Sequence, residues 1–121
     1  MLRLLSVLAL ALLVAPAAFA AGDAAAGKKT YDTLCFTCHG MAGKGDGPAG
    51  AALTPPPRDF SKGDFKFDAN KDGKAGEDAD LKLVIKNGAG AYGGNPSMAP
   101  WGHLADKDID DLIAYVRSLK K

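Results

Sequence analysis

Cys35-Phe36-Thr37-Cys38-His39 is the stretch on which the reading of this chain turns. Its two thiols stand one helical turn apart, and an imidazole follows the second directly. No other cysteine occurs in the 121 residues. Upstream, Asp23 to Leu34 reads as a first helix, with Asp23 as its cap and the strong helix formers Ala24, Ala25 and Ala26 behind it. Downstream, Gly40 to Pro57 is a loop rich in Gly and Pro that closes on Pro55-Pro56-Pro57. Ser61 to Gly76 is polar and reads as loop. Asp78 to Asn87 reads as a second helix with Leu81, Val84 and Ile85 on one face and Gly88 as its stop. Gly88 to Gly102 is loop again. A last helix begins near Asp106, with Ile109, Leu112, Ile113, Val116 and Leu119 as its apolar stripe. Asp108, Asp110 and Asp111 come early in it and Arg117, Lys120 and Lys121 late, an order that suits the helix dipole. No strand-like alternation of any length and no internal repeat occurs. The class is all-α, with long loops that need something to wrap around.

Length allows one domain. Residues 1–20 read as a secretory signal peptide: Arg3 supplies the positive start, Leu4 to Val14 the apolar run, Pro16 a helix stop and Ala18-Phe19-Ala20 a small-x-small cleavage site. The competing reading is an uncleaved anchor, because Leu4 to Ala21 is uncharged and long enough to span a bilayer. The expected mature domain is 21–121, with no membrane span of its own. Removing Arg3 from the 15 basic residues leaves 14 against 14 acidic ones, a formally neutral chain. That balance gives no clustered basic face and so no nucleic-acid partner. A domain of this size with 15 glycines has little core of its own, and such domains often add a disulfide, metal or cofactor.

Cys35-x-x-Cys38-His39 is the signature of haem c attachment. Two thiols a turn apart can each add across one haem vinyl group. His39 is then held beneath the iron and can bind it. Attachment of this kind takes place outside the bacterial cytoplasm, which agrees with the signal peptide. Three plainer readings stand beside it. A thioredoxin-type redox pair expects a βαβ context that the pattern lacks. A zinc site would need His39 and His103 as further ligands, and these are not a well-spaced couple. The third is a plain disulfide.

The chain resembles the class I cytochromes c over nearly all of residues 21–121. Gly27 and Tyr31 before the motif, Leu112-Ile113-Ala114-Tyr115 near the C-terminus, and Cys38-His39-Gly40 through Gly43, Gly45, Asp46, Gly47 and Pro48 carry the likeness. The resemblance implies a cytochrome c fold of three to five helices wrapped around one covalently bound haem. It implies that the first and last helices cross at Gly27, where a missing side chain lets two backbones approach. The implied function is the carriage of one electron at a time between periplasmic redox partners, without enzymatic activity. Cys35 and Cys38 would attach the haem and His39 would bind the iron. For the sixth ligand the candidates are Met41, Met98 and His103. Met41 is tethered two residues from His39, to the wrong haem face. Met98 sits in the loop Asn95-Pro96-Ser97-Met98-Ala99-Pro100-Trp101, at a distance from Tyr115 similar to the family's, though a lone Met is more often core filler. The resemblance therefore implies His39 and Met98 as axial ligands. A haem-bearing subunit of a larger oxidoreductase is the alternative, and a haem enzyme or sensor with an open iron the more distant one.

Three further residue readings follow. Pro48, or one of Pro55, Pro56 and Pro57, is expected to accept the His39 ring N–H through its carbonyl, or else merely to stiffen the loop. Trp101 is expected to donate its indole N–H to a haem propionate or to cover the haem edge. Asp68-x-Asn70-x-Asp72-Gly73 opens like a calcium loop, but Ala79 stands where the pattern wants a carboxylate, so a solvated turn is expected there.

Overall fold

A computed structural model describes residues 22–121, and the signal peptide read over residues 1–20 lies outside the described residues. Asp23 caps the first helix, α1 (Ala24–Leu34), by accepting the N–H groups of Ala25 and Ala26 on its carboxylate. At Cys35 the chain breaks its helical course and restarts at once as a four-residue helix, α2 (Phe36–His39). This short helix, unforeseen as an element, carries the second thiol and the imidazole. α3 (Asp78–Asn87) takes the bounds that the sequence pattern predicts and Gly88 ends it, while α4 (Asp106–Ser118) starts where predicted but stops before Leu119, which caps it, so Lys120 and Lys121 lie beyond the helix. Short 3₁₀ turns at Phe60–Lys62 and Ala89–Tyr92 interrupt two segments read as plain loop. The described residues form no strand, so the all-α class holds.

α1 lies on α4. Tyr31 on the first helix is wholly buried, as is Ile109 on the last, and Leu112, Ile113 and Val116 are nearly so. Burying each such aliphatic side chain stabilises the fold by roughly 1.5–3 kcal/mol. The crossing requires Gly27. A Cβ built there would fall inside the radius of the Asp111 carbonyl oxygen and beside Leu112 N, both of them backbone atoms that cannot swing away. Four residues on, Tyr31 meets Tyr115 edge to face with ring centroids 5.0 Å apart. The expected pairing of Gly27 and Tyr31 with the last helix is thus present.

Two buried carboxylates pin the remaining chain. Asp111 of α4 accepts the backbone N–H of Asp23 at 2.7 Å and the Lys107 ammonium at 2.6 Å, fastening the start of α1 to α4. Asp80 of α3 accepts the N–H groups of Asn70 and Glu77 at 3.1 and 3.0 Å, fastening the 68–76 loop to α3. Its bond to Glu77 is half of a capping box at the start of α3. No helix among the described residues is long and apolar enough to cross a membrane.

Candidate functional site

α2 is too short to satisfy its own carbonyl groups, and the glycine-rich loop does so instead. Gly45 N–H donates to the His39 carbonyl at 2.9 Å, Gly47 N–H to Cys38 at 3.1 Å and Ala49 N–H to Thr37 at 2.9 Å. The loop can lie this close because Gly47 has no side chain: a Cβ there would collide with the carbonyls of Phe36 and Thr37. Tyr31 adds a buried bond from its hydroxyl to the Gly40 carbonyl at 2.7 Å, tying α1 to the turn just after His39. Burial pushes the ionisation of this phenol well above the ordinary tyrosine range, so it stays a donor. The Cys-x-x-Cys-His stretch is therefore clamped from both sides.

Cys35, Cys38 and His39 open onto one cavity of about 490 Å³, within the range of small-molecule and cofactor sites. Its walls are mostly apolar, drawn from α1, α3, α4 and the long loops, with Leu81, Ile85 and Val116 among them. Met98 and Trp101 line the same cavity, although they lie some sixty residues along the chain from the thiols. His103 is exposed and Met41 is 79% exposed, and neither belongs to the lining. The four sequence-predicted residues Cys35, Cys38, His39 and Met98 thus come together, and the two rival ligand candidates do not join them.

The two thiols are unbonded. Burial, with Cys38 adding to it, pushes the Cys35 thiol up to about 11, which holds it as a neutral thiol. His39 stacks on Phe60, ring centroids 4.4 Å apart. Burial lowers its ionisation below the ordinary histidine value, against the opposing pull of the Arg58 carbonyl, so the ring stays neutral. That carbonyl lies 3.3 Å from Nδ1 and can only accept, so Nδ1 carries the proton and Nε2 keeps its lone pair.

Here the proline expectation is corrected. None of Pro48, Pro55, Pro56 and Pro57 takes the His39 hydrogen bond; Arg58, the next residue, does. Pro55 accepts the Asn95 side-chain amide at 3.0 Å, and the Pro57 oxygen packs on Gly45. Arg58 is held in turn by Asp64, whose carbonyl accepts its guanidinium at 2.7 Å and whose carboxylate lies 2.5 Å away. Phe60, Arg58 and Asp80 escaped the sequence reading. The capping spacing Glu77-x-x-Asp80 was the one local signal that pointed to any of them.

A pair of thiols a turn apart, a neutral imidazole and a thioether on one apolar cavity suit a planar, largely apolar metal macrocycle held covalently. The donor set therefore fits haem c. The comparisons with known proteins agree. The Cytochrome c family model matches residues 24–120. The chain is 40% identical over 103 residues to cytochrome c-554(547) of Halothiobacillus neapolitanus, covering 83% of this chain and all of that protein. Among solved structures it resembles a chain of the reducing HAO-like protein complex of Kuenenia stuttgartiensis, with TM-score 0.65 and 29% identity. That match covers 78% of this chain and 41% of the other, so the likeness concerns one part of a longer chain.

Proposed function

The chain belongs to the cytochrome c family, and on that premise we propose that it is a periplasmic single-haem electron carrier with His39 and Met98 as axial ligands. Its cofactor is haem c, attached in this reading through Cys35 and Cys38. When bound, the haem supplies a one-electron couple at its iron. The chain's residues do the rest. The Arg58 carbonyl orients the His39 ring so that Nε2 is free to bind metal, and burial keeps that ring neutral. The Met98 thioether is a soft neutral donor that favours the reduced metal and raises the potential relative to a second histidine. If His39 and Met98 both bind the metal, no coordination position would be left open for a substrate, which supports a carrier and not an enzyme. The apolar walls keep water from the metal. The apolar run and cleavage site in residues 1–20 support export to the periplasm.

The observation that carries this reading is the shared cavity of Cys35, Cys38, His39 and Met98, from which His103 and Met41 are absent. Acid-solvent extraction followed by mass measurement should find one haem retained on the chain; a bare-peptide mass sinks covalent attachment. Met98→Ala should abolish the long-wavelength sulfur-to-iron band of the oxidised protein, lower its reduction potential and open the iron to carbon monoxide. His103→Ala should leave all three nearly unaltered. The opposite pattern would show bis-histidine ligation. A second reading, a haem-bearing subunit of a larger oxidoreductase, is favoured by the likeness to a chain of a protein complex. Co-purification from native periplasm separates the two: a carrier elutes alone, a subunit with its assembly.

A further inference from the structure

Arg58, Lys66 and Asp80 are the charged side chains among the residues that line the cavity. They differ in one respect. Arg58 and Lys66 both pair with the Asp64 carboxylate, at 2.5 and 3.4 Å, and their side chains are 40% and 64% exposed, so water screens them. Asp80 is 1% exposed. No Lys or Arg among the described residues forms an ion pair with it. Its oxygens take backbone N–H groups instead, Oδ1 that of Asn70 at 3.1 Å and Oδ2 that of Glu77 at 3.0 Å. The carboxyl accepts in both bonds, the role of its ionised form. It also stands in the first turn of α3, where the helix dipole favours an anion. A carboxylate without a cationic partner is thus built into the wall of the cavity, out of reach of water.

We propose that Asp80 sets the reduction potential: its carboxylate is a fixed negative charge that favours the oxidised iron and so lowers the potential. The proposal rests on the electron-carrier reading, with haem held in the cavity. Oxidation takes one electron from the iron and adds one unit of positive charge inside the cavity. A buried charge acts on that change with little screening, whereas an exposed one is damped by solvent and salt. Asp80 therefore opposes Met98, whose thioether favours the reduced metal. The carboxylate also ties the 68–76 loop to α3, and that structural duty alone predicts the opposite sign. A neutral variant that merely loosened the loop would admit water to the cavity, favour the oxidised metal and lower the potential. Removal of the charge raises it.

The haem-loaded chain would be titrated potentiometrically at neutral pH, with the denaturation midpoint of each variant measured beside it. Asp80→Asn keeps the size and one accepting oxygen but drops the charge. It should shift the oxidised-to-reduced ratio at fixed potential toward the reduced form on the order of tenfold, which is about 59 mV for one electron. The long-wavelength sulfur-to-iron band should remain. Asp80→Ser, a smaller neutral acceptor, should raise the potential likewise. Asp80→Glu keeps the charge and should stay near the wild-type potential, whatever it loses in midpoint. Asp108→Asn, which removes the same charge from an exposed position on α4, should leave the potential unchanged. A potential that falls or stays put in Asp80→Asn would overturn the proposal, and so would an equal rise in Asp80→Glu or Asp108→Asn. Neutral variants that take up no haem would also overturn it, by making Asp80 a residue needed for folding alone. If the wild type shows no reversible one-electron couple, the carrier reading fails and this proposal falls with it. If the couple is intact and the potential does not move, the role of Asp80 alone is refuted.

Discussion

At Gly27 the fold depends on an atom that is not there. The two helices cross with the Asp111 carbonyl where a Cβ would stand, so any side chain must push backbone against backbone. Gly27→Val should cost about 1–3 kcal/mol, the usual range for overpacking, read as a lower denaturation midpoint. An unchanged midpoint and slope would show that the crossing is not held there. Asp111, whose own carbonyl makes that contact, is also the residue whose side-chain role only the structure reveals. In sequence it is one of several acids at the start of α4. In the fold it is buried and accepts two hydrogen bonds. The Lys107 ammonium first, and then the Asp23 N–H, hold its carboxyl below the ordinary carboxylate range. A depressed folded-state value means that its contribution is present above the ordinary value of about 3.9 and is lost as pH falls through the lower one. Asp111→Asn should therefore be less stable than wild type at neutral pH, and the gap in denaturation midpoint should close in acid. A gap that stays constant with pH would assign the loss to shape and not to charge.

Among the elements, α4 is the strut against which the others are set. α1 crosses it through small and apolar contacts. α3 is joined to it by Lys82 to Asp110 and Lys86 to Asp106, each 3.0 Å, exposed pairs worth little singly. Arg117 near the end of α4 reaches Asp78 and the Gly76 carbonyl and lies over the Phe65 ring at 5.3 Å, closing the polar 61–76 loop onto the helices. That loop is organised from within. The Asp68 carboxylate accepts the N–H groups of Asp72 and Gly73 at 3.1 and 2.9 Å, and Asp72 accepts that of Lys74 at 2.9 Å. These acids serve the turn's own backbone, and Ala79 leaves the calcium pattern without its closing carboxylate. Adding calcium or a chelator should thus leave the melting temperature unchanged; a clear chelator-induced shift would show a bound ion.

Over the whole molecule, the apolar interior is a thin layer around a cavity. Tyr31, Ile109, Leu112, Ile113 and Val116 fill the α1–α4 seam, Leu81 of α3 joins that cluster, and Leu81, Val84 and Ile85 also line the cavity. A haem held in that cavity would complete the core, and a chain of this size has little apolar surface to replace it. Cys35→Ser with Cys38→Ser, produced without haem, should lose the cooperative melting transition and the near-ultraviolet circular dichroism of the loaded protein. A haem-free chain that melts at the same temperature would show that the helices suffice. What the sequence by itself determined is local. The thiol-thiol-imidazole spacing, the Asp23 cap, the bounds of α3, the start of α4 and its apolar stripe all arise from neighbours within a turn or two, where capping and periodicity act. Gly27 belongs with them only because a resemblance named its distant partner. What tertiary structure decided is which remote groups meet: that Met98 and not His103 shares the thiols' cavity, that Arg58 and not a proline holds the His39 ring, and that Asp80 and Asp111 are buried anchors. Those outcomes hang on where long glycine- and proline-rich loops close. Closure is set by the packing of every element at once, so no local pattern in the sequence encodes it.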